Sequence, residues 1–157
     1  MTKASSKRAH RRQLEVSYGD RYSRHESERG VCFYCGDIAT ELDHCPPLDW
    51  VDLKTFDNWR KDNVSFLLVS SCSQCNQRLG DKPLFKLSER VEYIMKYLED
   101  KYEKNSTLWS DDEIKEMSKD FQKTIKARQK AALFNLKRVR HSQWRLYHGQ
   151  EMEDNAL

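Results

Sequence analysis

The spacing of apolar residues changes along the chain, and each change marks an element. Val64 to Val69 reads Val-Ser-Phe-Leu-Leu-Val, a β-branched and apolar run between polar residues, which predicts a strand. Ala39 to His44 predicts another, closed by Cys45-Pro46-Pro47, because proline offers no ladder donor and holds the residues before it extended. A polar, Trp-containing loop to Asp62 lies between the two. From Cys75 or Asn76 a short helix is expected to run to about Gly80, with Pro83 beyond it as a breaker. Leu84, Leu87, Val91, Ile94, Met95, Leu98 and Tyr102 then recur at helical spacing, so a helix should cover the strands.

Ser110-Asp-Asp-Glu113 has capping-box form, and Ile114, Met117, Phe121, Ile125, Ala132, Leu136, Val139 and Tyr147 continue near-helical spacing for about nine turns. A helix that long predicts a packing partner, within the core or across a dimer seam. Ahead of the first strand a short helix is expected to end near Glu28. Residues 1 to 14 lack apolar periodicity and read as a mobile arm.

Four cysteines change this picture. Cys32-x-x-Cys35 and Cys72-x-x-Cys75 are two pairs at the spacing by which short turns present two sulfurs each to one tetrahedral Zn²⁺ at about 2.3 Å. The interval between them is wider than that of a simple zinc ribbon, so the staple must enclose further structure. Gly36 permits the tight turn that the first pair needs. Cys45 lacks pair spacing and reads as an unligated thiol.

Composition sets the outer bounds: 157 residues, 38% of them apolar, make one compact unit with an extension and a modest core that a metal staple would reinforce. No apolar run approaches the roughly 18 residues of a membrane span. Met1 to Arg12 has no apolar stretch of the kind an export signal requires, so a cytoplasmic location in a bacterial or phage-infected cell is expected, with its cysteines reduced. The net charge is only +3, yet the basic residues are segregated. Lys3, Lys7, Arg8, Arg11 and Arg12 precede the first acid, and Lys123 to Arg145 contains no acid at all. Such runs suit phosphate backbones, which makes Lys123, Lys126, Lys130, Lys137, Arg138 and Arg140 candidate nucleic-acid contacts.

Inside the staple lie the residues suited to phosphodiester hydrolysis. His44, with an ordinary pKa near 6.5, can accept a proton from water and is the candidate general base. Asp43 offers an anionic oxygen and Asn76 a neutral amide oxygen, a pair suited to one Mg²⁺ or Mn²⁺ ion. For Asp43 and His44 to serve one phosphate, the strand must end or twist between them, since neighbours on a strand point to opposite faces.

Taken together, Cys32-Phe-Tyr-Cys35-Gly36, Glu41-Leu42-Asp43-His44 with Pro46-Pro47, Asp62-Asn63-Val64, and Cys72-Ser-Gln-Cys75-Asn76 resemble the HNH nuclease family, the ββα-metal fold, over residues 29 to 84. Asn76 in place of the family's last histidine is closest to the phage recombination endonucleases that resolve branched DNA. The resemblance implies an α+β fold: a basic arm at 1–14, a zinc-bound nuclease module at 15–84 and a helical extension at 85–157. It also implies hydrolysis of linear or branched DNA, and for Asn63 a bracing role in the loop between the strands. Two other classes use the same residues: a catalytically silent zinc module that binds nucleic acid, and a subunit active only within a homodimer or larger complex.

Overall fold

The computed structural model of the chain describes residues 3–27, 29–51, 65–105 and 109–154. Its fold is mixed α+β, with a three-stranded sheet among many helices. Strand β1 is Ser23–Arg24, β2 is Glu41–Cys45 and β3 is Leu67–Ser71, in the order β1-β3-β2. β1 runs parallel to β3, whereas β2 is antiparallel to it, pairing Asp43 with Val69 and His44 with Leu68. The two main strands lie further along the chain than the apolar run predicts. Val64 and the residues before it back to 52 are outside the described residues, and the bracing role expected of Asn63 lies there with them.

Among the described residues five α-helices accompany the sheet: α1 (Lys3–Tyr18), α2 (Ser73–Leu79), α3 (Leu87–Asn105), α4 (Asp111–Lys115) and α5 (Lys119–Asp154). The amino-terminal segment is therefore helical rather than an irregular arm. Tyr18 joins a small apolar cluster with Tyr22, Leu48 and Val51, so the end of α1 gains tertiary packing that its weak periodicity does not reveal. Two short 3-10 turns, Gly19–Arg21 and Leu48–Trp50, lie beside this cluster.

The capping box at Ser110 forms as expected, with Ser110 Oγ accepting from the Glu113 amide and Glu113 accepting from the Ser110 amide at 2.8 Å. The helix it starts is only five residues long. A second start follows, where the Ser118 side chain accepts from the Phe121 amide, and Gln122 Nε2 donates to the Lys115 and Met117 carbonyls. These contacts satisfy the end of α4 and the start of α5, so one long apolar period is served by two helices.

The sheet separates two apolar clusters. The larger packs Val69, Leu79, Leu87, Val91, Ile94, Leu98 and Val139 around the four paired cysteines, with α3 and α5 lying along each other. The smaller holds Tyr22, Leu48 and Val51 against Phe66, Leu68 and Phe85. Strand alternation assigns the faces: Leu67 and Val69 look one way, Phe66 and Leu68 the other. No helix of the described residues is long and apolar enough to cross a membrane.

Candidate metal centre and its surroundings

The first cysteine pair sits on a turn in which Gly36 N donates to Cys32 O at 2.9 Å and Cys32 N to Asp37 O at 2.7 Å. Gly36 adopts φ +75°, and a Cβ there would come within 2.8 Å of the His141 ring, so both conformation and space demand glycine. Phe33 N donates to Ser70 O and Thr40 N to Ser71 O, which anchors this turn to the end of β3. The second pair is made by the start of α2: Cys72 is its N-cap, and its sulfur accepts from Cys75 N at 3.4 Å. One helical turn thus places both sulfurs on the side facing the first pair.

All four sulfurs are buried and lie within 4.8 Å of one another, with Cys35 and Cys72 3.7 Å apart. Ligands about 2.3 Å from a tetrahedral zinc ion are about 3.8 Å from each other, so this spacing fits such an ion. Hydrogen bonding from Cys35 pulls the Cys32 thiol down to about 7, and bonds from Cys32 and Cys35 pull Cys72 below its ordinary range. Cys35 and Cys75 are pushed up in exchange, led by their bonds to Cys32. A bound cation would take the place of the thiol protons.

The long helix supplies a contact that the sequence reading misplaced. Arg138 was expected on the nucleic-acid surface, but it is buried, and its Nη2 donates to Cys35 Sγ at 3.2 Å, with Cys75 and Cys72 at 3.7 and 3.8 Å. Gln74 fixes its other terminal nitrogen. One turn on, Ser142 Oγ donates to Tyr34 O at 2.6 Å, His141 Nε2 meets Phe33 O at 3.2 Å, and Arg145 lies over the Phe33 ring. The physical reason is helical phase: Ala132, Asn135, Arg138, Val139 and Ser142 share the buried face of α5. Lys123, Lys126, Lys130, Lys137 and Arg140 are exposed.

A metal held by four thiolates carries net negative charge, and Arg138 is positioned to offset it within the protein. Arg138→Met should therefore weaken metal affinity about 10–100-fold while leaving all four ligands in place. Competition with a chromophoric chelator, using zinc or cobalt, measures this directly. Unchanged affinity would show that the guanidinium merely fills space.

Asp43 also departs from expectation. The strand does not end at this point but continues to Cys45, and Asp43 and His44 lie on opposite faces of it. The Asp43 carboxylate is buried and accepts from Arg90 Nη2 at 2.7 Å, Arg90 Nε at 2.9 Å and Tyr34 Oη at 2.5 Å. Arg90, on α3, is fully buried and also donates to Leu84 O. Burial, then the Asp43 charge, pushes the Tyr34 hydroxyl well above its ordinary pKa, so it remains a donor. Both carboxylate oxygens are consequently committed.

Asn76 lies on α2 and donates through Nδ2 to Glu41 Oε2 at 2.5 Å. Glu41 shares strand parity with Asp43, which places Asn76 on the face away from His44. As arranged, Asp43 and Asn76 do not fit one shared Mg²⁺ or Mn²⁺ ion. His44 lies on the smaller cluster's side, half-buried, edge-on to Tyr22 with ring centroids 4.8 Å apart. Its Nδ1 is buried without a hydrogen-bond partner among the described residues. Burial lowers its pKa below 6.5, opposed by Glu15 and assisted by Arg11, both on α1.

Arg90, Tyr34 and Glu41 were not anticipated. Arg90 had a signal, since it falls three residues after Leu87 and four before Ile94, a cation on an apolar face. The chain matches no protein-family model, no curated protein and no solved structure.

Proposed function

We propose that the chain is a nuclease of the ββα-metal type that hydrolyses phosphodiester bonds in DNA, with His44 as its general base and a structural zinc ion in the four-cysteine site. The observation that carries this reading is His44 itself: a half-buried imidazole on β2 whose pKa is lowered by burial, which favours its neutral, proton-accepting form. The order of β2, β3 and α2, with one cysteine pair ahead of β2 and the other at the start of α2, supports it. In such a reaction His44 takes a proton from water as the oxygen attacks phosphorus, and the P–O bond to the leaving oxygen breaks. Arg11 contributes positive charge near the same imidazole.

A second reading is favoured by one specific observation. The Asp43 carboxylate is held by Arg90 and Tyr34, as suits a module that binds nucleic acid without cutting it.

Purified protein incubated with plasmid, linear duplex, four-way junction and RNA, in Mg²⁺, in Mn²⁺ and in EDTA, separates the two. Strand cleavage by the wild type is expected, with His44→Ala slower by at least about 100-fold and unchanged in metal content. Because a lowered pKa keeps the base form present at lower pH, the acidic limb of the rate profile should lie below pH 6.5. Cleavage by His44→Ala at the wild-type rate would refute the assignment. Binding by the wild type without cleavage would leave the silent module.

A further inference from the structure

Helix α5 carries a second stripe, opposite to its buried face. Lys126, Lys130, Lys137, Arg140, Trp144 and Tyr147 are all exposed and follow one another at helical repeats of three, four or seven, with Leu133 between them. The stripe extends for about 32 Å. Its order is polarised, since the cations occupy the first two thirds and the aromatic rings the end. Tyr147 is 79% exposed and Trp144 51%, and Trp144 is bordered by Arg145 and by the His148 ring.

We infer that this stripe is a docking surface for unpaired nucleic acid, with the lysines and Arg140 along the phosphates and Trp144 and Tyr147 stacked on exposed bases. The inference rests on the nucleic-acid reading above and narrows its substrate to strands with unstacked bases. Charge selects the occupant. Between Asp120 and Glu151 the helix has no acid, so a second copy laid along the stripe in either direction would add a second cationic row with no anion to offset it. A polyanion neutralises the whole row. The rings select the form of that polyanion, because bases paired within a duplex have no free face to stack upon, whereas every unpaired base has one. Aromatic rings interleaved with or flanking a cationic track are the usual means of holding single strands without reading their sequence.

Fluorescence anisotropy with a labelled 20-nucleotide single strand and with a duplex of the same sequence, each over a range of salt concentrations, tests this. The wild type should prefer the single strand. Trp144→Ala and Tyr147→Ala should each weaken single-strand binding by about 5- to 150-fold while leaving duplex binding within about twofold. Lys137→Ala with Arg140→Ala should weaken both and flatten the salt dependence by about two units of slope. All of these positions are on the surface, and circular dichroism checks that each variant keeps the wild-type helix content. Equal affinity for the two forms, or unchanged single-strand binding in both aromatic variants, overturns the inference. So does a concentration-dependent dimer that dissolves in Trp144→Ala without any affinity for nucleic acid. Wild-type protein that binds single strands but cuts nothing would sink the nuclease reading and leave this surface standing.

Discussion

Stripping the metal with a chelator, or replacing Cys72 with Ser, should abolish cooperative unfolding of the domain. Four buried sulfurs hold together the turn before β2, the end of β3 and the start of α2, and Arg138 ties the long helix to the same point. Structural zinc in small domains contributes apparent free energies of about 10–16 kcal/mol, as much as the whole stability of a typical domain at about 5–15 kcal/mol. Without a cation the four buried sulfurs are left crowded within 4.8 Å of one another. Freshly purified protein should contain one zinc per chain by elemental analysis. Its thermal transition should disappear, or fall steeply, on chelation and in Cys72→Ser. Cys45→Ser provides the control: Cys45 is buried, but its sulfur faces the Phe85 carbonyl rather than the cluster, so that variant should retain its metal. Folded protein without zinc, or a Cys72→Ser variant as stable as the wild type, would show that the cysteines are ordinary core residues.

Arg90→Met should cost about 3–5 kcal/mol of stability, because it leaves the Asp43 carboxylate buried with Tyr34 as its remaining described donor. In a chain of this size that corresponds to a fall in Tm of about 6–20 °C. The pair is not for that reason a net source of stability, since desolvating two charges offsets much of their attraction. Asp43→Asn combined with Arg90→Met should therefore recover a substantial part of the loss, the amide still accepting from Tyr34. Urea unfolding of the two single variants and the double variant measures the coupling. A cost below about 1 kcal/mol for Arg90→Met would mean that the Asp43 carboxylate is not held by the guanidinium, and would return it to consideration as a ligand for an ion. The same logic alters what Asp43→Ala tests. In this fold it would expose an unpaired buried arginine, so lost activity in that variant would report lost stability.

Much of the framework is legible in the chain alone. Two Cys-x-x-Cys pairs specify which distant segments must meet, because the geometry of a tetrahedral site leaves their turns little freedom. The spacing of Leu87, Val91, Ile94 and Leu98 specifies a buried helical face, and the Ser110 box specifies a helix start, since both depend on neighbours three or four residues away. Local interactions of this kind are written in local sequence.

Most of the positions that differed depend on partners remote in the chain, and one on a local break in a helix. Whether α1 forms depends on a cluster built from residues near 48 and 66, and whether the long apolar period makes one helix or two depends on Ser118 and Gln122 capping a break. Asp43 and His44 are adjacent in sequence and suited to one reaction, yet the strand's alternation sends them to opposite faces, and an arginine 47 residues away takes the carboxylate. Arg138 was one of several basic residues on a cationic helix until packing on the cysteine turn took it out of solvent. Residue type and spacing determined which chemistry this chain contains. Only the tertiary structure decided which of those groups meet, because a side chain's direction, its burial and the charges across from it are properties of the packed interior, where an unpaired charge is costly and each cation goes to the anion that lies within its reach.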